Sequence, residues 1–192
     1  MRDAPPFDGS EPIPPAMVCL ALGYVGTTAP AIEYLDLIAP GETDARRAEM
    51  AKMSGCALVV RGLWRLAGIG HPRLDRPYVT GKAVEDVVSI AREADALRAV
   101  LVPEPGDVVH VVGSEHVYVA VAVEPGPNGS SAVESVDGGQ RTAGGLQTIR
   151  KYRRKIVAGR DMRLDDRGRI VVSRQIATVI DCAKVLSTFA SR

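Results

Sequence analysis

The chain has 192 residues, which suits one domain with a sizeable hydrophobic core and argues against a second independent domain. Its 24 lysines and arginines nearly balance 23 aspartates and glutamates, so no overall charge favours nucleic acid or an acidic membrane surface. Aromatic residues make up only 4%, which argues against a surface that stacks sugars or bases, and we expect neither nucleic acid nor membrane as a partner.

The N-terminal segment, residues 1–16, is proline-rich and polar, which predicts an extended arm ahead of a single domain spanning residues 17–192. This segment lacks the uninterrupted apolar core of a cleaved signal peptide, and no stretch is long and apolar enough to span a bilayer. We therefore expect synthesis in the cytoplasm without a cleavable signal. Action at the cell envelope would then require export or release by another route.

Helical signals fill the first half of the chain. Thr43 can cap a helix that follows the break at Pro40-Gly41, and apolar residues recur at helical spacing from Cys56 onward. Residues 17–38 mix small, apolar and helix-breaking residues, so only a short helix is assigned there. The predicted helices span about residues 31–37, 43–53, 56–67, 82–97 and, at the end of the chain, 182–189.

The second half changes to valine-rich patterns separated by glycine and proline turns. The predicted strands span about residues 108–112, 116–123, 131–137, 146–157 and 168–181. Along the second of them, alternation puts His116 and Tyr118 on one face and Val117 and Val119 on the other, which we expect to be the core side. Helices first and strands afterwards predict an α+β fold, with N-terminal helices packed on a C-terminal antiparallel β-sheet.

The three cysteines, Cys19, Cys56 and Cys182, are odd in number and lack the close spacing of metal ligands, so we predict no disulfide framework, metal site or cofactor. Cys56 differs from the others because it opens an amphipathic helix directly after Ser54-Gly55. Backbone N–H groups and the helix dipole there favour a thiolate and can bind a developing oxyanion, while Gly55 leaves room for a substrate. The alternative is a thiol that is merely packed in the core.

His116 is the candidate general base for this thiol. It starts a strand just after a glycine-containing turn, and a neutral imidazole near physiological pH can take the thiol proton. The alternative is a partly buried histidine that hydrogen-bonds to the backbone. We expect His71, in a proline-flanked loop, and His110, on the preceding strand, to be structural or solvent-facing.

Asp137 is the candidate that orients His116, because an adjacent antiparallel strand would bring it close to the imidazole. Glu134 is the rival carboxylate, but it lies three positions earlier and so on the opposite face of that strand. Asp137 has the alternative role of a turn residue before Gly138-Gly139. Gln140 is a candidate donor to the oxyanion, with a solvated loop position as its alternative.

A basic run, RKYRRK, occupies residues 150–155. It could bind an anion or nucleic acid. Alternation on a strand would spread these cations over both faces, however, so we expect a solvated edge strand whose charges oppose aggregation.

The order of these motifs resembles the papain-like cysteine hydrolase superfamily, especially its NlpC-type and CHAP peptidoglycan hydrolase branches. The matching pieces are MSGC at 53–56, PEPGDVV at 103–109 and EHV at 115–117, followed by a polar residue one strand later. The resemblance covers roughly Thr43 to Gln140. It implies a papain-like fold in which Cys56 is the nucleophile, His116 the base and Asp137 the orienting residue.

The resemblance also implies an activity. It indicates a bacterial cysteine amidase or endopeptidase that forms a thioester acyl-enzyme and cleaves peptidoglycan peptide stems, as a lysis enzyme or an exported cell-wall toxin. Its partners would be a peptide-like substrate and, for a toxin, an inhibitor or immunity protein. Two alternatives stay open: a cysteine protease or deamidase that acts on a protein, and a catalytically inactive papain-like binding module.

Overall fold

The structure, a computed structural model, describes residues 13–52, 55–75, 82–113 and 115–190. Within these ranges five helices precede six strands and a sixth helix follows them. The helices are α1 (Ile13–Gly23), α2 (Ile32–Ile38), α3 (Asp44–Met50), α4 (Cys56–Leu66), α5 (Ala83–Glu93) and α6 (Cys182–Phe189). The strands are β1 (Val108–Val111), β2 (His116–Pro125), β3 (Ser131–Arg141), β4 (Gln147–Val157), β5 (Arg160–Leu164) and β6 (Ile170–Ile180).

The six strands form a closed antiparallel barrel, in which each strand pairs with the next and β6 pairs with β1. The predicted α+β arrangement, with N-terminal helices packed on an open antiparallel sheet of papain-like type, is therefore wrong. One reason is that the short, charged strand β5 has no valine-rich pattern and was not predicted. The other is that alternation within strands carries no information on whether the first and last strands pair.

The basic strand β4 is not an edge strand. It pairs with β3 on one side and with β5 on the other, so the edge-strand prediction for residues 150–155 is also wrong. Alternation does spread these cations over both faces, as expected. Lys151, Arg153 and Lys155 are exposed on the outside of the barrel, whereas Arg154 is buried inside it.

Closure of the barrel creates two hydrophobic cores, one inside it and one between its outer wall and the helices. On β2, Val117 and Val119 pack in the outer core, as the alternation predicts. Tyr118 and Ala120, on the other face, pack inside the barrel and are equally buried. The inner core comprises Val109, Val111, Tyr118, Ala120, Val133, Ile156, Ile176 and Val179. Strand β2 thus has apolar residues on both faces because both faces are buried.

Helix α4 packs against α1, α2, α5, β2 and β3 in the outer core. Its Leu63 and Trp64 side chains are fully buried. Gly62 lets α2 approach closely, since a Cβ atom there would lie 2.3 Å from the backbone oxygen of Leu37. These contacts hold the first turn of α4 beside the ends of β2 and β3.

The predicted helices correspond to α2 through α6, but α3 ends at Met50 and α5 at Glu93, three to four residues before the predicted ends. Helix α1 was not predicted, and it begins at Ile13, inside the segment expected to be an extended arm. The remainder of that arm lies outside the described residues, as do Met53 and Ser54 of the MSGC motif. No described helix is long and apolar enough to cross a membrane.

Candidate active site

Cys56 is the first residue of α4, with Gly55 as a helix cap that has no capping side chain. The backbone N–H groups of this first turn are therefore available near the thiol, where their dipoles favour a negative charge. Cys56 is 6% exposed, and its Sγ lies 3.8 Å from the backbone oxygen of Glu115. Glu115 immediately precedes β2, which brings the start of that strand to the start of α4.

His116, the first residue of β2, lies between Cys56 and Asp137. Its Nε2 is 2.7 Å from Oδ2 of Asp137, which lies on the adjacent antiparallel strand β3. His116 also lies close enough to the Cys56 thiol that the two side chains shift each other's pKa. Since Nε2 contacts the carboxylate, Nδ1 is the nitrogen left for the thiol. The three residues proposed from the sequence as nucleophile, base and orienting residue thus lie in one contiguous arrangement.

The thiol and the imidazole shift each other toward the charged forms. Burial raises the pKa of Cys56, but the hydrogen bond and charge of His116, together with backbone hydrogen bonds from Val117 and Ala57, outweigh burial, so the pKa lies below its ordinary value. Burial likewise lowers the pKa of His116, but hydrogen bonds to Asp137 and Cys56 raise it to about 9. A thiolate beside an imidazolium is the form in which a cysteine nucleophile is reactive.

Asp137 is fully buried and belongs to a polar network inside the barrel. Ser135 Oγ donates to its Oδ1 at 2.7 Å, and Arg154 Nη2 donates to its Oδ2. Burial raises the pKa of Asp137, but the charge of Arg154 and the hydrogen bond from His116 lower it overall. Arg154 also donates to Asp161 Oδ2 at 2.5 Å. The carboxylate that contacts His116 is therefore held by two groups besides the imidazole.

Gly138-Gly139 is a bulge within β3 and not the turn that the alternative for Asp137 required. The register with β4 shifts between Asp137 and Gln140, and the strand continues to Arg141. Gly139 has φ +66°, and a Cβ atom there would lie 2.3 Å from Gly55 N. The bulge thus lets β3 pass directly against the backbone that begins α4.

Tyr34 of α2 is a further site residue, for which the sequence contained no signal beyond an aromatic residue in a short predicted helix. Its side chain is fully buried, and among the described residues its hydroxyl has no hydrogen-bond partner. The hydroxyl lies 2.7 Å from where a Cβ atom of Gly55 would be. Burial and the nearby Cys56 raise the pKa of Tyr34, so it stays a neutral O–H donor beside the thiol. The space beside Gly55, which we expected to admit a substrate, is thus occupied by this hydroxyl.

The other carboxylate and amide candidates are engaged elsewhere. Glu134 lies on the outer face of β3 and forms an ion pair with Lys151 at 2.5 Å, so it does not reach His116. Gln140 donates from Nε2 to the backbone oxygen of Gly138 at 3.1 Å and accepts from Tyr152. Its amide is therefore held within β3 and β4, and its predicted oxyanion role has no geometric support.

The two other histidines lie in separate surroundings. His71 contacts Glu93 at 3.0 Å and packs edge-on against Phe189. His110 lies 3.4 Å from the Glu115 carboxylate. Both therefore have structural contacts of their own.

The remaining cysteines differ from Cys56 in burial and in surroundings. Cys19 is exposed on α1, while Cys182 is fully buried at the start of α6, where burial raises its pKa to about 12. Within residues 13–52, 55–75, 82–113 and 115–190, no three His, Cys, Asp or Glu side chains are grouped so that they could hold a metal ion.

The fold and the site together define a closed β-barrel with a buried thiol–imidazole–carboxylate arrangement where a helix begins. Comparison of the chain with models of protein families, with curated proteins and with solved structures finds no match. A functional proposal therefore depends on the geometry of this arrangement and on the order of the motifs in the sequence.

Proposed function

We propose that this protein is a cysteine hydrolase that cleaves amide bonds through a thioester acyl-enzyme. The observation that carries the proposal is the contact chain from Cys56, at the uncapped start of α4, through His116 to the buried carboxylate of Asp137. A merely packed thiol would need neither a histidine hydrogen bond nor a lowered pKa. Each of the three groups has the chemical character that nucleophilic catalysis requires.

The reaction would begin with attack of the Cys56 thiolate on the amide carbonyl carbon, which forms a C–S bond and a tetrahedral oxyanion. The backbone N–H groups at the start of α4 and the unpartnered Tyr34 hydroxyl are the donors that we propose for that oxyanion. His116 then gives its proton to the leaving nitrogen as the C–N bond breaks. Water attacks the thioester, His116 takes a proton from it, and the C–S bond breaks to release the acid and the thiolate.

The substrate class is supported by the motif order, which resembles that of NlpC-type and CHAP peptidoglycan hydrolases. We propose cell-wall peptide stems as the substrate, with a lysis enzyme or an exported toxin as the setting.

Asp137 fits the orienting role because its carboxylate is buried and both of its oxygens accept hydrogen bonds.

One observation favours a second candidate, a catalytically inactive binding module. Cys56 is only 6% exposed and packs within the outer hydrophobic core, as a structural cysteine would. The two candidates differ in the reactivity of the thiol. A nucleophile reacts with a small electrophile as a thiolate, whereas a packed cysteine does not.

The test measures alkylation of each cysteine by iodoacetamide against pH, by mass spectrometry, in the wild type and in His116→Ala. We expect Cys56 to react faster than exposed Cys19 near neutral pH, to slow in His116→Ala, and Cys182 to stay unmodified. Release of new amino groups from purified peptidoglycan, with Cys56→Ala as control, then tests the substrate. If Cys56 reacts no faster than Cys19, or is indifferent to His116, the hydrolase proposal is wrong and the inactive module stands.

A further inference from the structure

We propose that Arg154, anchored by Asp161, is a positioning residue of this site, which fixes the Asp137 carboxylate toward His116 from inside the barrel. The inference rests on the proposed function, because it assigns a role in forming the Cys56–His116 pair. Neither Arg154 nor Asp161 belongs to the three residues taken as catalytic. Arg154 acts only through Asp137.

The guanidinium of Arg154 is held on several sides in the barrel interior. Its Nη2 donates to Asp137 Oδ2, its Nε to Ser135 Oγ at 2.7 Å, and its Nη1 to Asp161 Oδ2 at 2.5 Å. Ser135 in turn donates to Asp137 Oδ1, so Arg154 fixes one carboxylate oxygen directly and the other through the serine. The guanidinium carbon also lies 3.9 Å from the centre of the Tyr118 ring. Only a planar fork with several donors makes these contacts at once.

The same arrangement determines the charge of Asp137. The groups that face this carboxylate are His116 and Tyr118 from β2, Ser135 from β3, Arg154 from β4 and Asp161 from β5. Among them Arg154 is a permanent cation, and it is 3% exposed. A carboxylate that is buried without a cation takes up a proton. Protonated Asp137 could no longer stabilise an imidazolium at His116, and the Cys56 thiolate would lose its partner.

Asp161 offsets the cost of burying the charged Arg154 inside the barrel. It is 1% exposed, accepts from Arg154, and accepts from the Tyr118 hydroxyl at 3.3 Å. Arg154 therefore shares its charge between two buried carboxylates. Loss of Arg154 alone would leave both carboxylates close together in the inner core, whereas loss of Arg154 and Asp161 together removes one charge of each sign.

The experiment compares the pH midpoint of Cys56 alkylation in four proteins: the wild type, Arg154→Lys, the double variant Arg154→Met/Asp161→Leu, and Lys155→Met. Lys155 is the matched control, since it is the next residue on β4 but is exposed on the outer face. In the double variant we expect the midpoint to rise by roughly one pH unit, so that alkylation below the wild-type midpoint is about tenfold slower. Arg154→Lys should shift the midpoint in the same direction by less, because an ammonium keeps the charge but cannot reach all three acceptors. Lys155→Met should behave as the wild type.

Thermal unfolding of the same proteins separates positioning from a purely structural role, which would lower stability without moving the midpoint. A double variant that unfolds cooperatively and keeps the wild-type midpoint overturns the inference. If the double variant does not fold, an unchanged midpoint in Arg154→Lys overturns it. Both results leave the proposed function standing, because Cys56 would still be reactive and dependent on His116. If Cys56 is unreactive in the wild type, both this inference and the proposed function are wrong.

Discussion

The substitution Asp137→Asn should lower the pKa of His116 by a large amount. Burial lowers the pKa of this imidazole, whereas the hydrogen bonds to Asp137 and Cys56 and the charges of those two groups raise it to about 9. Asparagine keeps the shape of aspartate but removes the negative charge. The positive charge of Arg154, which Asp137 now neutralises, would then lie next to the imidazole and further disfavour its protonation.

The size of the change follows from the two pKa values. A pKa of about 9, against an ordinary value of 6.5, corresponds to about 3 kcal/mol of preference for the imidazolium in the folded protein. Since this pKa is raised, the contribution to stability is complete below pH 6.5 and is lost as the pH rises through about 9. In Asp137→Asn we expect the His116 midpoint at or below its ordinary value and this part of the pH dependence to vanish.

The assay is an NMR titration of the His116 ring nitrogens in ¹⁵N-labelled protein, read together with urea unfolding at several pH values. Glu134→Gln is the matched control, because it removes the carboxylate three positions earlier on the same strand, on the outer face. It should leave the His116 midpoint near 9. A midpoint that stays near 9 in folded Asp137→Asn would refute the reasoning, since some group other than Asp137 would then hold the proton.

Three further predictions concern the site. Gly139→Ala should destabilise the fold by about 3 kcal/mol in urea denaturation, because the residue has a left-handed φ and its Cβ would meet the Gly55 backbone, whereas Gly23→Ala, in open space, should stay within about 0.5 kcal/mol. Tyr34→Phe should slow peptidoglycan cleavage by roughly 10²-fold while leaving stability and Cys56 alkylation unchanged, and an equal loss of alkylation would contradict the oxyanion role. Cleavage by the wild type should fall as the pH rises through about 9, where His116 loses the proton for the leaving nitrogen, and a rate that still increases beyond that value would contradict this role.

The sequence was sufficient to bring Cys56, His116 and Asp137 together because each depends on local rules. Helical spacing places Cys56 in a first turn, and alternation decides which of Asp137 and Glu134 shares a face with His116. Antiparallel pairing of consecutive strands then brings Asp137 beside the imidazole. Their catalytic roles stay predictions, since position does not by itself establish reactivity.

The barrel and its buried charges could not be predicted in the same way. Closure depends on pairing between β1 and β6, which are far apart in the chain, and on β5, whose sequence RDMRL resembles a polar loop. When β5 is not recognised, its Asp161 is not available as a partner, and nothing in the sequence predicts that Arg154 is buried. The basic run at residues 150–155 is then typical of a solvated strand. Tyr34 reaches the site only because α2 packs on the backbone of α4 at Gly62.

The site lies where the two hydrophobic cores meet, and this explains why the barrel matters for its chemistry. Cys56 belongs to the outer core between helices and barrel wall, whereas Asp137, Arg154 and Asp161 are buried inside the barrel. His116 connects them, since it is at the start of β2, on the same face of the strand as Tyr118 of the inner core. Closure excludes water from Asp137, and in such surroundings a carboxylate acts on an imidazolium more strongly than it would in solvent. An open sheet would expose that carboxylate, so the charge of the Cys56–His116 pair depends on closure of the barrel.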